Sequence, residues 1–475
     1  MSKPFYITTT LPYTNSDPHI GFASELIKAD VVARFHKLRG EEVFFNTGTD
    51  EHGLKIYQLA SAAGLSPRAF CDPYAANFQK LAQELNISIT NFIRTTDKQH
   101  VAAAQAFWQK CEAGGDIYKK NYQVKYCVGC EMEKTESDLV DGKCPFHPGK
   151  ELEIIEEENY FFRFSKYGEK LMEFYHKNPD FVIPNHRFHE IKNFVAGGLQ
   201  DFSISRLKFK MPNGVSVPGD ENQVMYVWFD ALVNYVSALG WPNEEGNFKK
   251  FWPGMQVCGK DNLRQQTAMW QAMLMSAGLP NSTQVLIFGF LTANGQKISK
   301  SAGNGVDPFE FVDKYGCDPL RYYLLSDILP FEDGDFSEEK LRTKYNADLA
   351  NGLGNLVARV SNLLEKNEIE TKLAPSPSLE FIAEFNLKIH DYKFNEALAI
   401  LWDKLRSSDE KLSLTTPWKM TDKTEIAAVL QPIAQDILDV AYYLQIFIPQ
   451  TAAKIIEQFS SSQIKKGESL FPRLI

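Results

Sequence analysis

The sequence predicts an α/β fold: a doubly wound parallel sheet interrupted by a small inserted domain and followed by an all-α C-terminal region. Three observations predict it. Strand and helix patterns alternate through residues 5–115 and resume after residue 219; between them the rhythm breaks into short β-rich pieces holding a cysteine cluster; from Asp335 onward the pattern is almost wholly helical. The expected segments are therefore 1–115, 116–218, 219–334 and 335–475.

Each element has a local reason. Phe5 to Thr10 is β-branched and aromatic, hence a strand, and a loop from Leu11 to Pro18 follows. Ala23, Ile27, Val31 and Phe35, four apart, place one apolar stripe on a helix closed by Gly40. Val43 to Thr47 is the next strand, and Gly53 to Ala63 a helix ended by Gly64. Ser66-Pro67 supplies an N-cap and a first-turn proline for another helix. In open parallel sheets ligands sit beyond the carboxyl ends of the strands, which puts the Leu11 to Phe22 loop at the site. The βα pattern returns with Met225 to Leu239, Val257 to Met275 and the strand Val285 to Leu291, and Pro375-Ser-Pro-Ser interrupts the later helices.

Composition narrows the function classes. A chain of 475 residues, 44% hydrophobic and 23% charged, exceeds one ordinary core and is neither disordered nor fibrous. Its greasiest runs, Val285 to Leu291 and Ala441 to Pro449, fall well short of the roughly 18 apolar residues of a membrane span. The start runs directly into a strand without an export signal, so a soluble cytoplasmic protein without membrane partners is expected. Seven cysteines, three of them clustered, suit metal binding in a reducing compartment better than a disulfide framework. A net charge of −9 argues against a generic nucleic-acid coat and leaves room for a local basic face.

Three motifs carry chemistry. His19-Ile-Gly21-Phe22 stands where a loop turns into a helix: amides there attract anions, Gly21 admits a phosphate, and His19 can donate to it, although His19 could equally be only a cap. Gly295-Gln-Lys297-Ile-Ser299-Lys300-Ser-Ala-Gly303-Asn304 is a cationic, glycine-flanked loop suited to neutralising a triphosphate, or else a solvated turn. Cys127-Val-Gly-Cys130 and Cys144-Pro-Phe-His147, separated by thirteen residues, offer four ligands for one tetrahedral zinc ion. With no position open to substrate, that zinc is structural, and its affinity, on the order of 10–16 kcal/mol in small knuckles, can fold a short insertion.

The two loop motifs together resemble the paired signatures of class I aminoacyl-tRNA synthetases, with a Rossmann-like catalytic domain. Leu11-Pro-Tyr13-Thr-Asn15, Gly48-Thr-Asp50-Glu-His52-Gly53, Tyr226-Val-Trp228-Phe-Asp230-Ala231, Gly259-Lys-Asp261-Asn262 and the cysteine knuckle are similar to the methionyl branch, over essentially the whole chain. The resemblance implies an ATP-dependent ligase of protein biosynthesis that makes methionyl-adenylate and charges tRNA(Met). It implies ATP contacts from His19, Gly21, Gly259, Asp261, Lys297, Ser299 and Lys300, with His19, Lys297 and Lys300 in the catalytic role and Mg2+ on the nucleotide. Methionine would be held by Leu11, Tyr13, Asp50, Trp228, Ala231, Leu232, Tyr235 and Gln266, with Asp50 on its ammonium group. Asn355 and Arg359, one turn apart, and Trp418 would read the anticodon, making the C-terminal region an anticodon-binding domain, and a monomer is expected.

The local alternatives are helix caps for Asp50 and Asp261, and core packing for the Trp228 stripe, whose members fall at i, i+3, i+4 and i+7. Two departures from the family pattern stand out: Phe22 replaces a second histidine, and Gln265-Gln266 replaces an aromatic-histidine pair. The rival readings are another class I synthetase, a nucleotidylyltransferase, or a tRNA-binding paralogue without activity.

Overall fold

Phe5–Thr8 lies inside a six-stranded parallel sheet in a computed structural model that describes residues 4–134, 138–293, 295–298 and 305–474. From one edge to the other the strands are Asn91–Arg94, Val43–Thr49, Phe5–Thr8, Met255–Gly259, Gln284–Phe288 and Val182–Ile183. The chain winds outward in one direction from Phe5–Thr8 and in the other from Met255–Gly259 to Gln284–Phe288, with the earlier segment Val182–Ile183 closing that edge, so this is the doubly wound α/β sheet that the strand–helix alternation predicts. The switch point falls between those two strands, where Ile7 pairs Met255 and Thr8 pairs Gln256. Residues on the loops that leave their carboxyl ends, Leu11 to Pro18 and Gly259 to Asn262, therefore flank one crevice.

The chain forms two compact units: Met1–Pro18, Gly40–Leu81 and Ile89–Phe288 make the first, and His19–Arg39, Ala82–Ser88 and Gly289–Ile475 the second. The first contains the whole parallel sheet and, between residues 117 and 203, an antiparallel sheet in the order Met132–Lys134, Ile117–Cys127, Glu153–Phe162 and Phe202–Ser203. Its aromatic core includes Phe107 stacked on Trp270, which in turn meets the edge of Tyr235. Burying rings of this size contributes on the order of 2–3 kcal/mol each before entropy is counted.

One expected helix is broken. Met225 to Leu239 is the end of a strand, Asp220–Met225, followed by two short helices, Val227–Ala231 and Asn234–Ser237. The Asn234 side chain donates to the Ala231 carbonyl at 2.7 Å, competing with the helical ladder at the join. The segment after Gly259 is likewise less regular than expected: a 3₁₀ turn, Lys260–Asn262, then a π turn, Gln265–Met269, precede the α-helix Trp270–Ala277.

The second unit is mostly helical, with Ile20–Leu38, Asn355–Lys366, Phe394–Thr415 and Lys423–Leu444 its longer elements, and residues 371–378 interrupt it as the prolines predict. Its centre is ionic. Arg321, fully buried, reaches Asp30 on the Ile20–Leu38 helix at 2.7 Å, and donates to the Phe447, Ile446 and Leu85 carbonyls at 2.7, 3.3 and 3.0 Å. Asp30 also accepts from Arg34 at 2.6 Å and from the Ser88 amide at 2.7 Å. Burial works to raise the Asp30 carboxyl, but Arg321 and Arg34 bring it below its ordinary value. Among the described residues no helix is long and apolar enough to cross a membrane.

Candidate active site

The Leu11 to Thr14 loop continues the parallel pairing past the sheet. Tyr13 pairs Asp50 in register, the Asp50 amide donates to the Pro12 carbonyl at 2.9 Å, and the Thr14 amide donates to the Asp50 carbonyl at 3.2 Å. This sets Asp50 immediately beyond the carboxyl end of Val43–Thr49. Its carboxylate is buried, and its two hydrogen bonds, from the His52 amide at 3.4 Å and the Thr95 hydroxyl at 3.3 Å, both fall on Oδ1. No described cation pairs with it. Burial, then the neighbouring Asp230 and Glu131 charges, raise its carboxyl well above the ordinary range. The first of those bonds is the cap that sequence alone allows, but a cap does not require a buried carboxylate without a described cation.

Around Asp50 the loop is tightly fixed. Glu51, fully buried, accepts from Arg94 at 2.6 Å and from Thr49 at 3.0 Å, and its amide donates to Thr95 at 2.9 Å. Asp230 accepts from His52 Nδ1 at 2.5 Å and from His100 Nε2 at 2.8 Å. Burial opposes the Asp230 charge, yet the two imidazoles hold its carboxyl down at about 2. Since His100 Nδ1 meets the Ser237 hydroxyl at 2.9 Å, the network orients Asp230 and the Val227–Ala231 helix that bears Trp228 and Ala231.

That helix and its successor supply the apolar wall. Ala231, Leu232 and Tyr235 are buried; Trp228 and Tyr13 are half-buried, the Trp228 Nε1 is enclosed without a partner, and the enclosed Tyr13 hydroxyl faces Glu131. Burial, then the Glu131 and Asp50 charges, push the Tyr13 phenol well up. Gln266, at the π turn, donates to the Tyr235 hydroxyl at 2.6 Å and accepts from Gln256 at 3.1 Å. Gln256 in turn accepts from the Ser282 hydroxyl at 2.7 Å. This chain of neutral groups fixes the Gln266 amide where the family pattern has a histidine, and it gives that wall a polar group without a titrating one. Gly259 closes its strand and the exposed Asp261 follows on the 3₁₀ turn.

The metal candidate is complete. Cys127, Cys130, Cys144 and His147 hold one ligand atom each within 4.8 Å of the others, with Cys130 Sγ at 3.4 Å from Cys144 Sγ and 3.2 Å from His147 Nδ1. Those edges approach the roughly 3.5–3.8 Å of a tetrahedron built on ligand bonds of about 2.0–2.3 Å, and are far too long for a disulfide. A Cβ at Gly129 would lie 2.6 Å from the His147 ring, so the turn between the first two thiols requires glycine. The purified protein is expected to carry about one zinc per chain by atomic emission and Cys130→Ser to lose it; a metal-free wild type that is folded and cooperative in unfolding would contradict the assignment.

In the second unit, His19 is the N-cap of Ile20–Leu38, and its Nδ1 accepts from the Gly21 amide at 3.1 Å. The capping role is real. It also sets the neutral ring's proton on Nε2, the donor form that a phosphate oxygen needs. Gly21 has a further reason beyond ligand approach, because a Cβ there would fall 2.9 Å from the His19 ring. The Ile20 amide donates to the Val306 carbonyl at 3.0 Å, tying this helix start to the residues that follow the lysine loop. Lys297 belongs to the strand Gln296–Lys297, with its backbone paired to Thr292. Ser299 and Lys300 lie outside the described residues. Asn355 opens the Asn355–Lys366 helix, exposed; one turn on, Arg359 stands 5.5 Å from the centre of the Trp418 ring and pairs with Asp409 at 2.6 Å. Trp418 itself is 46% exposed, much for an indole.

Sequence reasoning singled out the Gly48-Thr-Asp-Glu-His-Gly53 and Tyr226-to-Ala231 runs but gave Glu51, His52 and Asp230 no role, and it missed His100 and Glu131, which have no local signal and reach this network only through folding.

Comparison with known proteins bears on this arrangement. The family model described as tRNA synthetases class I (M) matches residues 5–153 and 147–361. Methionine–tRNA ligase of Thermotoga maritima is 41% identical over 98% of this chain and 77% of its own, and that of Rhizobium meliloti 42% identical over 96% and 92%. Among solved structures, Mycobacterium tuberculosis methionyl-tRNA synthetase in complex with methionyl-adenylate superposes with a TM-score of 0.93 at 36% identity, covering 99% of this chain and all of the other. The apo form of that enzyme gives 0.85 at 33% identity, covering 100% of this chain and 99% of the other.

Proposed function

Because the chain belongs to the M family of class I tRNA synthetases, whose curated relatives are methionine–tRNA ligases, we propose that it activates L-methionine with ATP and transfers the methionyl group to tRNA(Met). It is an ATP-dependent ligase. A methionine carboxylate oxygen attacks the α-phosphorus, the bond to the β-phosphate bridging oxygen breaks, and pyrophosphate leaves with that electron pair. A terminal ribose hydroxyl of the tRNA then attacks the acyl carbon, loses its proton, and releases AMP. Neither step needs a covalent enzyme intermediate, so positioning and charge stabilisation supply the catalysis.

The observation that carries this reading is the buried, cation-free Asp50 just beyond the carboxyl end of Val43–Thr49, near enough to Asp230 of the Val227–Ala231 helix for that charge to act on it. Asp50 takes the substrate ammonium. Leu11, Tyr13 and the wall of Trp228, Ala231, Leu232 and Tyr235 surround the thioether, whose polarizable sulfur suits aromatic edges, with Gln266 as the fixed polar group. Gly259 admits the nucleotide and Asp261 takes its ribose. His19 through Nε2 and the helix-start amides at Gly21 stabilise the phosphates, and Lys297, Ser299 and Lys300 the departing pyrophosphate, with Mg2+ accompanying ATP. Cys127, Cys130, Cys144 and His147 hold zinc, which supplies folding energy to the connective segment and no reacting water. In this reading residues 1–115 and 219–334 are the catalytic domain, 116–218 the connective insertion and 335–475 the anticodon-binding domain of a cytoplasmic monomer.

Arg359, Asn355 and Trp418 read the anticodon, a stacking ring beside a guanidinium and an amide for base edges. Trp418→Ala is expected to reduce kcat/KM for tRNA charging by on the order of 10-fold to 100-fold, the value of one lost base stack, while methionine-dependent adenylation stays within about twofold; equal losses in both steps would refute the placement. The reading as a whole is tested by incubating the purified chain with labelled methionine, ATP and tRNA(Met). Acid-precipitable methionyl-tRNA is expected, and its absence alongside an active control synthetase would overturn the proposal.

A further inference from the structure

We infer that Glu131, directly after the Cys127-to-Cys130 turn, is a positioning residue for the methionine subsite, gripping the Asp50-bearing loop from the connective insertion; this rests on the reading of Asp50 given above. Glu131 is buried and has φ near +48°, a left-handed conformation unusual for a glutamate. Three anchors aim it. Its carbonyl accepts from the Tyr226 hydroxyl at 2.9 Å, its Oε1 accepts from the Lys55 amide at 2.8 Å at the start of the Leu54–Ala62 helix, and the carboxylate presses on Gly53, where a Cβ would lie 2.4 Å from Oε2. Its enclosed Oε2 meets no other described donor, and the Tyr13 hydroxyl faces this carboxylate, the hydrogen bond working to lower the Glu131 carboxyl while the Glu131 charge raises the Tyr13 phenol.

A second residue of the insertion holds the same loop from another side. Asn213 Nδ2 donates to the Glu51 carbonyl at 2.8 Å, and the Asn213 carbonyl accepts from the Gly53 amide at 3.1 Å. Glu131 and Asn213 therefore bracket residues 51–55, directly after Asp50. A buried carboxylate costs free energy unless it does something, and helix capping alone would be served by an exposed serine or aspartate. What the bracket fixes is the register of the loop, hence the direction of Asp50 Oδ2 and the depth of Tyr13.

The test compares wild type, Glu131→Ala, Glu131→Gln and Asn213→Ala in methionine-dependent exchange of labelled pyrophosphate into ATP, with zinc content measured on each. Glu131→Ala and Asn213→Ala are expected to raise the methionine KM by about tenfold, leaving the ATP KM within about twofold and zinc at the wild-type level. Glu131→Gln keeps an acceptor for the Lys55 amide and is expected to recover most of the loss. An unchanged methionine KM in Glu131→Ala, equal rises for methionine and ATP, no rescue by Gln, or loss of zinc from the Ala variant would each overturn the inference. Absence of exchange in the wild type would instead remove the functional reading beneath it.

Discussion

Asp50→Asn is expected to lower kcat/KM for methionine in adenylate formation by about 10-fold to 100-fold, chiefly through KM. The substitution keeps the size and the acceptor for the His52 amide and the Thr95 hydroxyl, and removes only the charge that the ammonium would meet in a dry site. A charge-assisted hydrogen bond of this kind is worth roughly 1.5–3 kcal/mol, and each 1.4 kcal/mol is a factor of about ten. The pH dependence follows in sign. Burial and the Asp230 and Glu131 charges raise the Asp50 carboxyl in the free protein, so at low pH it is protonated and methionine must displace that proton. Methionine KM should therefore fall as pH rises from the acid side, and this dependence should flatten in Asp50→Asn. Steady-state kinetics of both proteins across pH checks the prediction; an Asn variant with wild-type methionine KM would take Asp50 out of the substrate site.

Arg321→Met is expected to destabilise the helical unit by about 3–5 kcal/mol, the cost of breaking a buried pair from one side. The substitution leaves Asp30 enclosed with Arg34 as its remaining ion-pair partner among the described residues, and strips a donor from the carbonyls of Leu85, Ile446 and Phe447. Asp30 lies on the helix that His19 caps, so the damage joins stability to function: the same variant should show slowed adenylation at temperatures where it remains folded. Arg321→Lys is not a rescue, because one ammonium cannot reproduce a planar fork spread over three carbonyls and a carboxylate. Denaturant unfolding of the variant, together with Asp30→Leu/Arg321→Met, measures this; a single-variant shift under about 1 kcal/mol would show the network to be dispensable.

What could be read in the sequence was local. The Cys127–Cys130 and Cys144–His147 pairs are each gripped by one turn, so their spacing already implies the geometry found. The strand, loop and helix from Phe5 to Gly40 are governed by periodicity and a terminal glycine, and the helix Ile20–Leu38 follows. Where side chains from distant segments compete with the backbone, periodicity misleads. The Trp228-to-Tyr235 stripe has helical spacing, yet Asn234 turns back onto Ala231 where the segment divides into two short helices. The long-range ionic groups were not legible at all. Nothing near Arg321 in sequence announces Asp30, and nothing near His100 announces Asp230, because each pairing is made by tertiary packing alone.

The direct measurement is amino-acid-dependent exchange of pyrophosphate into ATP by the purified chain, run with each of the twenty amino acids in turn. Exchange with methionine, strongly preferred over leucine, isoleucine and valine, is the predicted result. Exchange driven best by another amino acid would contradict the account, and so would none with any, in a protein shown to be folded and zinc-loaded.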